Sequence, residues 1–278
     1  MIGFDFDYYK PDSVEEAVEL FRDLDSQGKK PIYYGGGTEF ISMARMNNVY
    51  SEAVIDIKGI SKCNTIKLDK EKLAIGSGVT LTEIAESNHY PLLSLVAKWI
   101  ADHTIQGKIT LGGNIAGTII YKETILPLLL SNAEVTIAGI NGSKSIPMEE
   151  LFNKDIKLSK GELIVSIAIE TEYLELPSIH IKRTKNDKID YPLITIVGHI
   201  NKGKINIAFS GLCKYPCRAS KMEDILNTET YALKEKINKA IENIPGPVLT
   251  DLSGSAEYRR FMLGKMLEQL LEEFQEGI

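Results

Sequence analysis

The residues best placed to do chemistry lie in two glycine-rich turns, Tyr34-Gly35-Gly36-Gly37-Thr38-Glu39 and Thr110-Leu111-Gly112-Gly113-Asn114. Glycine lets backbone N–H groups come close to a ligand without a Cβ in the way, and where such a turn opens a helix those amides meet the positive end of its dipole. The chemistry this suits is phosphate binding. A Cβ added at Gly36 or Gly113 is expected to occupy space that phosphate oxygens need. With 32 Lys and Arg against 38 Asp and Glu, the net charge of −6 offers no overall field for a dianionic pyrophosphate, so local amides must hold it. Together the turns suit a dinucleotide clasped between two loops. Neither has the G-x-G-x-x-G spacing of a Rossmann fold and repeated strand–helix–strand units are missing, which argues against a nicotinamide site of that kind. Gly142-Ser143-Lys144-Ser145 lacks the full P-loop pattern and reads instead as one arm of a hairpin, with a type I′ turn at Asn141-Gly142.

Few other side chains nominate themselves. Cys63, Cys213 and Cys217 are too few for the four thiolates of an iron–sulfur cluster, and the Cys213/Cys217 spacing has no second pair. His89, His103, His180 and His199 show no zinc-type pairing. No catalytic residue and no metal ligand is assigned, so an organic cofactor is the expected agent. The acidic balance argues against a cationic nucleic-acid or membrane-surface binder, and no apolar run approaches the roughly 18 residues of a membrane span. The N-terminus is acidic where a signal peptide is basic, and a cytoplasmic protein is expected.

The turns need elements to hold them. Ser13-Val14-Glu15-Glu16 has the S-x-x-E form of a capping box, and Val14, Ala17, Val18, Phe21 and Leu24 follow at helical spacing. Pro31 to Tyr34 reads as a short buried strand that runs through the glycines into a helix over 39–46. Strands are expected at 54–57 and 73–76, a capping box at Thr80 to Glu83, a buried helix over 92–100 with Trp99 in the core, and a helix over 123–130. Beyond Ile169, strands at 179–182, 193–201 and 204–211 precede helices near 221–226, 233–244 and 257–274, the pattern of an antiparallel sheet with helices on one face. The expected fold class is α+β. A first domain covers 1–174, itself two lobes of about 1–57 and 58–174, and a C-terminal α+β domain covers 175–278.

In order, separation and flanks, the two turns resemble those of the FAD-binding medium subunit of the molybdenum hydroxylases, the xanthine dehydrogenase and carbon monoxide dehydrogenase family. That family carries an A-G-G-T-[DE] loop, here Gly35 to Glu39, and a later T-[IL]-G-G-N loop, here Thr110 to Asn114. Ser13 to Ala17, Gly161-Glu162-Leu163-Ile164, Lys182 and the closing Ser255-Ala256-Glu257-Tyr258-Arg259-Arg260 extend the likeness over nearly the whole chain. It implies a two-lobed FAD-binding module of the PCMH/VAO type. After it comes a three-stranded antiparallel sheet with helices, like the C-terminal domain of the carbon monoxide dehydrogenase flavoprotein.

Carried over residue by residue, the resemblance implies that Gly35, Gly36, Gly37 and Thr38 cradle the FAD pyrophosphate while Glu39 opens the helix. Thr110, Gly113 and Asn114 contact the cofactor from the other loop. Glu123 stands where the family has an aspartate and would hydrogen-bond cofactor hydroxyls. Ile100, Ile164 and Lys182 match further cofactor-contacting positions, and Tyr191 matches one beside the flavin. Two stretches depart from the family: Gly117 to Glu123 from N-A-S-P-x-x-D, and Asp102 to Ile109 from S-P-x-I-R-N-x-G. The implied oxidoreductase role is electron transfer from the 2Fe-2S clusters of a small partner subunit, through FAD, to NAD or another acceptor. A large molybdopterin-containing subunit would hydroxylate the substrate within the same hetero-oligomer, as in xanthine dehydrogenase. Two alternatives stand beside this: a stand-alone FAD-dependent oxidase, and a non-catalytic nucleotide-binding assembly subunit.

Overall fold

The computed structural model describes residues 2–187 and 189–277. The chain opens with β1 (Asp7–Tyr9), α1 (Val14–Ser26), β2 (Ile32–Tyr34), α2 (Thr38–Arg45) and β3 (Ala53–Asp56). The three strands form a parallel sheet in the order β1-β3-β2. Central β3 is buried at every position, as a parallel strand covered on both faces must be, and its Ala53 and Ile55 pack against Val14, Ala17 and Val18 of α1. Ser13 caps α1 by accepting from the Glu16 N–H, but the expected box is only half made, since the Glu16 carboxylate accepts from the Asp12 N–H and not from that of Ser13.

Next come β4 (Ile66–Leu68), β5 (Lys72–Gly76), α3 (Leu81–Ser87), α4 (Pro91–Lys98), α5 (His103–Gln106), α6 (Leu111–Ala116) and α7 (Ile125–Leu130). They are followed by β6 (Glu134–Gly139), β7 (Gly142–Pro147), α8 (Met148–Leu151), the ribbon β8 (Phe152–Asn153) with β9 (Asp155–Ile156), and β10 (Leu163–Glu170). β10 lies between β5 and β6 in an antiparallel sheet of order β4-β5-β10-β6-β7. A third sheet, the meander β11 (Ser178–Thr184), β12 (Pro192–Asn201), β13 (Lys204–Ser210) and β14 (Cys217–Arg218), precedes α9 (Ser220–Leu226), α10 (Leu233–Glu242) and α11 (Ala256–Glu276). β12 is buried from Pro192 to His199 because both its faces are covered. Ile194 and Ile196 join Leu267 and Leu270 of α11, whereas Val197 joins the cluster built from α4 and α7. Among the described residues no helix is long and apolar enough to cross a membrane.

Four further expectations are corrected. The third sheet has four strands rather than three, since Cys217 pairs with Phe209 in a strand of two residues, too short for alternation to reveal. The β6–β7 turn is centred on Ile140-Asn141, with Gly139 opposite Gly142, and of these turn residues only Gly142 has positive φ (+99°). It is therefore not type I′, which needs positive φ at both central residues. Trp99 is 37% exposed rather than core, because α4 ends at Lys98 and the indole lies at its C-cap, edge-on to His180. The helix expected over 123–130 starts only at Ile125, leaving Glu123 on the approach to it.

The second glycine turn is fixed to the start of α3 by backbone pairing. Leu81 N–H donates to Ile109 O (2.9 Å), Leu111 N–H to Val79 O (2.8 Å) and Gly112 N–H to Ser77 O (2.8 Å). Thr80, whose bridge partner is Thr110, forms a complete capping box with Glu83. Thr80→Ala is expected to lower the unfolding free energy by about 1 kcal/mol, read as a lower urea midpoint at unchanged slope.

Candidate functional site

Backbone shapes the first turn more than side chains do. Between β2 and α2, Gly37 has φ +70°, a left-handed angle, and a Cβ there would fall on the Tyr34 ring. Gly37 is also the N-cap of α2 and supplies no side-chain bond, so the first amides of that helix remain available to an anion. Behind the turn, Lys58 Nζ donates to the Gly35 carbonyl (2.7 Å) and to both oxygens of Asp56 (2.8 Å each), 4.8 Å from the Tyr34 ring centroid. Tyr8 donates its hydroxyl to the same carboxylate. Burial alone would raise the Asp56 pKa; Lys58 and Tyr8 outweigh it and hold the carboxyl below its usual range. The same bond pushes the Tyr8 phenol up to about 12.

The second turn opens α6, with Thr110 Oγ1 accepting from Gly113 N–H (3.2 Å), and the two turns touch. A Cβ on Gly35 would stand 2.5 Å from Thr110 Oγ1, and one on Gly36 would overlap the Lys108 carbonyl oxygen. At Gly113 a Cβ would lie 2.8 Å from Thr110 Oγ1. At 36 a side chain would thus meet a neighbouring backbone, and at 113 the hydroxyl that caps the helix, so the protein itself already calls for glycine at both positions. Glu39 does more than open α2. Its carboxylate accepts from Thr118 N–H (2.7 Å) and Thr118 Oγ1 (2.5 Å), clipping the start of α2 to the segment after α6.

That segment holds the remaining polar groups. Asn114 Oδ1 accepts from Thr124 Oγ1 at 2.6 Å. Lys122, at φ +36° and buried, donates from Nζ to the carbonyls of Ile115 (2.8 Å) and Gly117, and among the described residues no carboxylate lies within ion-pair distance of it. Burial pushes its pKa down to about 8. Glu123 and Lys182 are brought together: Oε2 lies 3.1 Å from Nζ, Oε1 accepts from Thr195 Oγ1 (2.6 Å), and Lys182 also donates to the Trp99 carbonyl (2.7 Å). Burial raises the Glu123 pKa against the opposing pull of Lys182 and Thr195. The network ties the end of α4 to β11 and β12. Nearby, burial and then Lys182 push His180 down to about 4, so its ring is neutral.

Ile100 and Ile164 are buried in the same cluster as Leu111 and Ile115 of α6. Tyr191 is set apart from that cluster: it is 59% exposed and stacks on Tyr121, centroids 4.8 Å apart and planes 18° from parallel. Lys58, Tyr121 and Lys122 went unremarked as site residues in the sequence. A lone lysine or tyrosine in a loop has no spacing signal, although Tyr121 and Lys122 lie inside the stretch that departs from N-A-S-P-x-x-D.

The family described as FAD binding domain in molybdopterin dehydrogenase matches residues 4–170. The chain is 26% identical to the 6-hydroxypseudooxynicotine dehydrogenase complex subunit alpha of Paenarthrobacter nicotinovorans, over 96% of this chain and 93% of that one. It is 25% identical to the carbon monoxide dehydrogenase medium chain of Hydrogenophaga pseudoflava, over 98% and 97%. Among solved structures, quinoline 2-oxidoreductase from Pseudomonas putida 86 superposes with a TM-score of 0.84 at 20% identity, covering 98% of this chain and 97% of that one. Carbon monoxide dehydrogenase from Hydrogenophaga pseudoflava superposes with a TM-score of 0.81 at 25% identity, covering 97% and 96%. FAD is the cofactor, and the site fits it: an uncapped helix start and two glycine turns in contact provide amides for a pyrophosphate without calling on net positive charge.

Lys122 lends the site a pH signature. Its folded pKa of about 8 lies below the 10.5 of an unperturbed lysine, so between those values the unfolded chain holds a proton that the folded chain has released, and stability rises with pH. The destabilisation is present at neutral pH and is relieved as pH climbs through that window. Relative to Lys122→Met, the wild-type chain is expected to gain about 2 to 3 kcal/mol between roughly pH 7 and pH 10. Urea unfolding of both proteins at the two pH values measures it, and a constant difference would refute the assignment.

Proposed function

We propose, on the premise that this chain belongs to the family of FAD-binding domains in molybdopterin dehydrogenases, that it serves as the electron-transfer subunit of a xanthine dehydrogenase-like complex. The chain is an FAD-binding medium subunit of the molybdenum hydroxylase family, of the carbon monoxide dehydrogenase type. When bound, FAD would supply the redox chemistry by which electrons pass from the 2Fe-2S clusters of a small partner to NAD or another acceptor. Hydroxylation belongs to a large molybdopterin-containing partner. Three cysteines, fewer than a cluster's four thiolates, support that division of labour.

The chain's own residues bind and orient. The amides of Gly35, Gly36, Gly37 and Thr38 hold the pyrophosphate at the start of α2, supported by Lys58 on the Gly35 carbonyl. Glu39 fixes that start against Thr118, and Thr110 shapes the facing turn so that Gly113 and Asn114 meet the cofactor. Ile100 and Ile164 support the site from the core, and Glu123 with Lys182 sets the Trp99-Ile100 corner. Tyr191 lies beside the flavin. The first 174 residues act as the FAD-binding domain, in lobes of about 1–57 and 58–174, with 175–278 as the C-terminal domain. The core cluster of the third sheet and the last helices, drawn wholly from residues beyond 175, supports the C-terminal boundary. Unpaired thiols at Cys63, Cys213 and Cys217 support a cytoplasmic place.

The observation that carries the reading is the contact of the two glycine turns beside an uncapped helix start. Gly36→Ala is expected to force the turns apart, abolishing FAD retention on gel filtration and lowering the melting temperature. Gly113→Ala, which the Thr110 side chain can accommodate by giving up its cap, is expected to weaken FAD binding while costing about 1 kcal/mol of stability. Full FAD occupancy in Gly36→Ala would count against the turn assignment. For function, an N-heterocycle such as xanthine is expected to leave the flavin of the isolated chain oxidised under anaerobic conditions and to bleach it once both partner subunits are added. Rapid bleaching without partners would instead establish a stand-alone oxidase.

A further inference from the structure

Arg259, in the first turn of α11, is fully buried. Its Nη1 donates to the carbonyls of Leu193 and Gly211 (2.6 Å to the latter), Nη2 donates to Asp251 Oδ1 (2.7 Å), and Nε has no partner among the described residues. Burying a guanidinium is unfavourable unless its bonds do something an apolar side chain could not. The helix start does not need it, since Ser255 Oγ already caps α11 by accepting from Tyr258 N–H (3.2 Å). The bonds go instead to two strand ends. Leu193 lies near the start of β12, and Gly211 follows β13 at φ +76°, where a Cβ would lie 2.8 Å from the Leu193 carbonyl oxygen and 2.9 Å from that of Pro192.

Those strand ends carry the aromatic pair. Tyr191 precedes β12 and stacks on Tyr121, whose carbonyl accepts from Ser210 Oγ, one residue before Gly211. Arg259 therefore grips the chain two residues after one ring and one residue after the anchor of the other. Asp251 is prepared to hold it: against the opposing effect of burial, the Ser253 N–H and Arg259 keep its carboxyl below the usual range. We propose that Arg259, steadied by Asp251, is a positioning residue that registers the Tyr121–Tyr191 stack at the flavin edge and so tunes the bound cofactor. This rests on the proposed place of Tyr191 beside FAD.

The test is a double-mutant cycle on the FAD-loaded full chain, reading flavin fluorescence and midpoint potential. A tyrosine touching an isoalloxazine quenches it by electron donation, so Tyr191→Leu should brighten the flavin. Asp251→Asn and Arg259→Lys should each depopulate the ordered stack and raise fluorescence by about twofold or more, with FAD still bound. In a Tyr191→Leu background neither should add anything further. Additive effects, or wild-type fluorescence and potential in both Asp251→Asn and Arg259→Lys, would overturn the positioning role while leaving Tyr191 in place. Unchanged fluorescence in Tyr191→Leu would overturn the Tyr191 reading and this inference with it. Asp251 is partly exposed, so Asp251→Asn keeps the test informative if Arg259→Lys folds poorly.

Discussion

The approach of the Gly36 backbone to the Lys108 carbonyl is the constraint around which the rest is arranged. Two loops can hold one dinucleotide only if they come within reach of the same pyrophosphate, and close backbone approach leaves no room for a Cβ between them. Everything that fixes the turns can be read as maintaining that approach. Central β3, fully buried, sets the height at which β2 delivers the first turn, and the pairing of residues 77–81 with 109–112 sets that of the second. Glu39, bonded to Thr118, closes the arrangement on its far side.

Two of the three buried or half-buried lysines of the site are already matched by a carboxylate of the chain. Lys58 is neutralised by Asp56, so it orients the Gly35 carbonyl and carries little net charge into the turn. Lys182 is matched by Glu123 in a pair that is worth little as stabilisation but would be severely disruptive to break, because either partner alone would be a buried charge. Lys122 is the exception, bonded to carbonyls only, and its lowered pKa is the physical expression of that isolation. Local amides and aligned dipoles are left as the natural hold on phosphate, which suits a net charge of −6.

What could be read from the sequence was local. The caps at Ser13 and Thr80, the glycine turns and the apolar run of β12 each announce themselves within a few residues, because the force responsible acts between near neighbours. The family likeness, too, was carried by short motifs. The reasons for those motifs were not legible. Gly36 must be glycine because of Lys108, Tyr121 meets Tyr191, and Lys182 meets Glu123 and Trp99, all contacts between residues far apart in the chain. The exposure of Trp99 has a related cause. Its apolar helix argued for burial, but whether a C-cap residue turns inward depends on where the helix stops.

The third sheet has its own core, yet it does not stand apart from the cofactor side. β11 contributes Lys182 and β12 contributes Thr195 to the network around Glu123, and Ser210 at the end of β13 holds the Tyr121 carbonyl. Val197 and Ala208 complete the core of the preceding sheet's helices. A C-terminal module that only docked against a finished binding site would be joined to it by exposed, replaceable contacts. Here the joining groups are buried and charged or hydrogen-bonded, so a shift of one sheet against the other would leave Glu123 or Lys182 uncompensated. The environment on the Trp99, Ile100 and Tyr191 side is therefore set jointly by both parts of the chain, whereas the contact between the two glycine turns is set by residues of the first part.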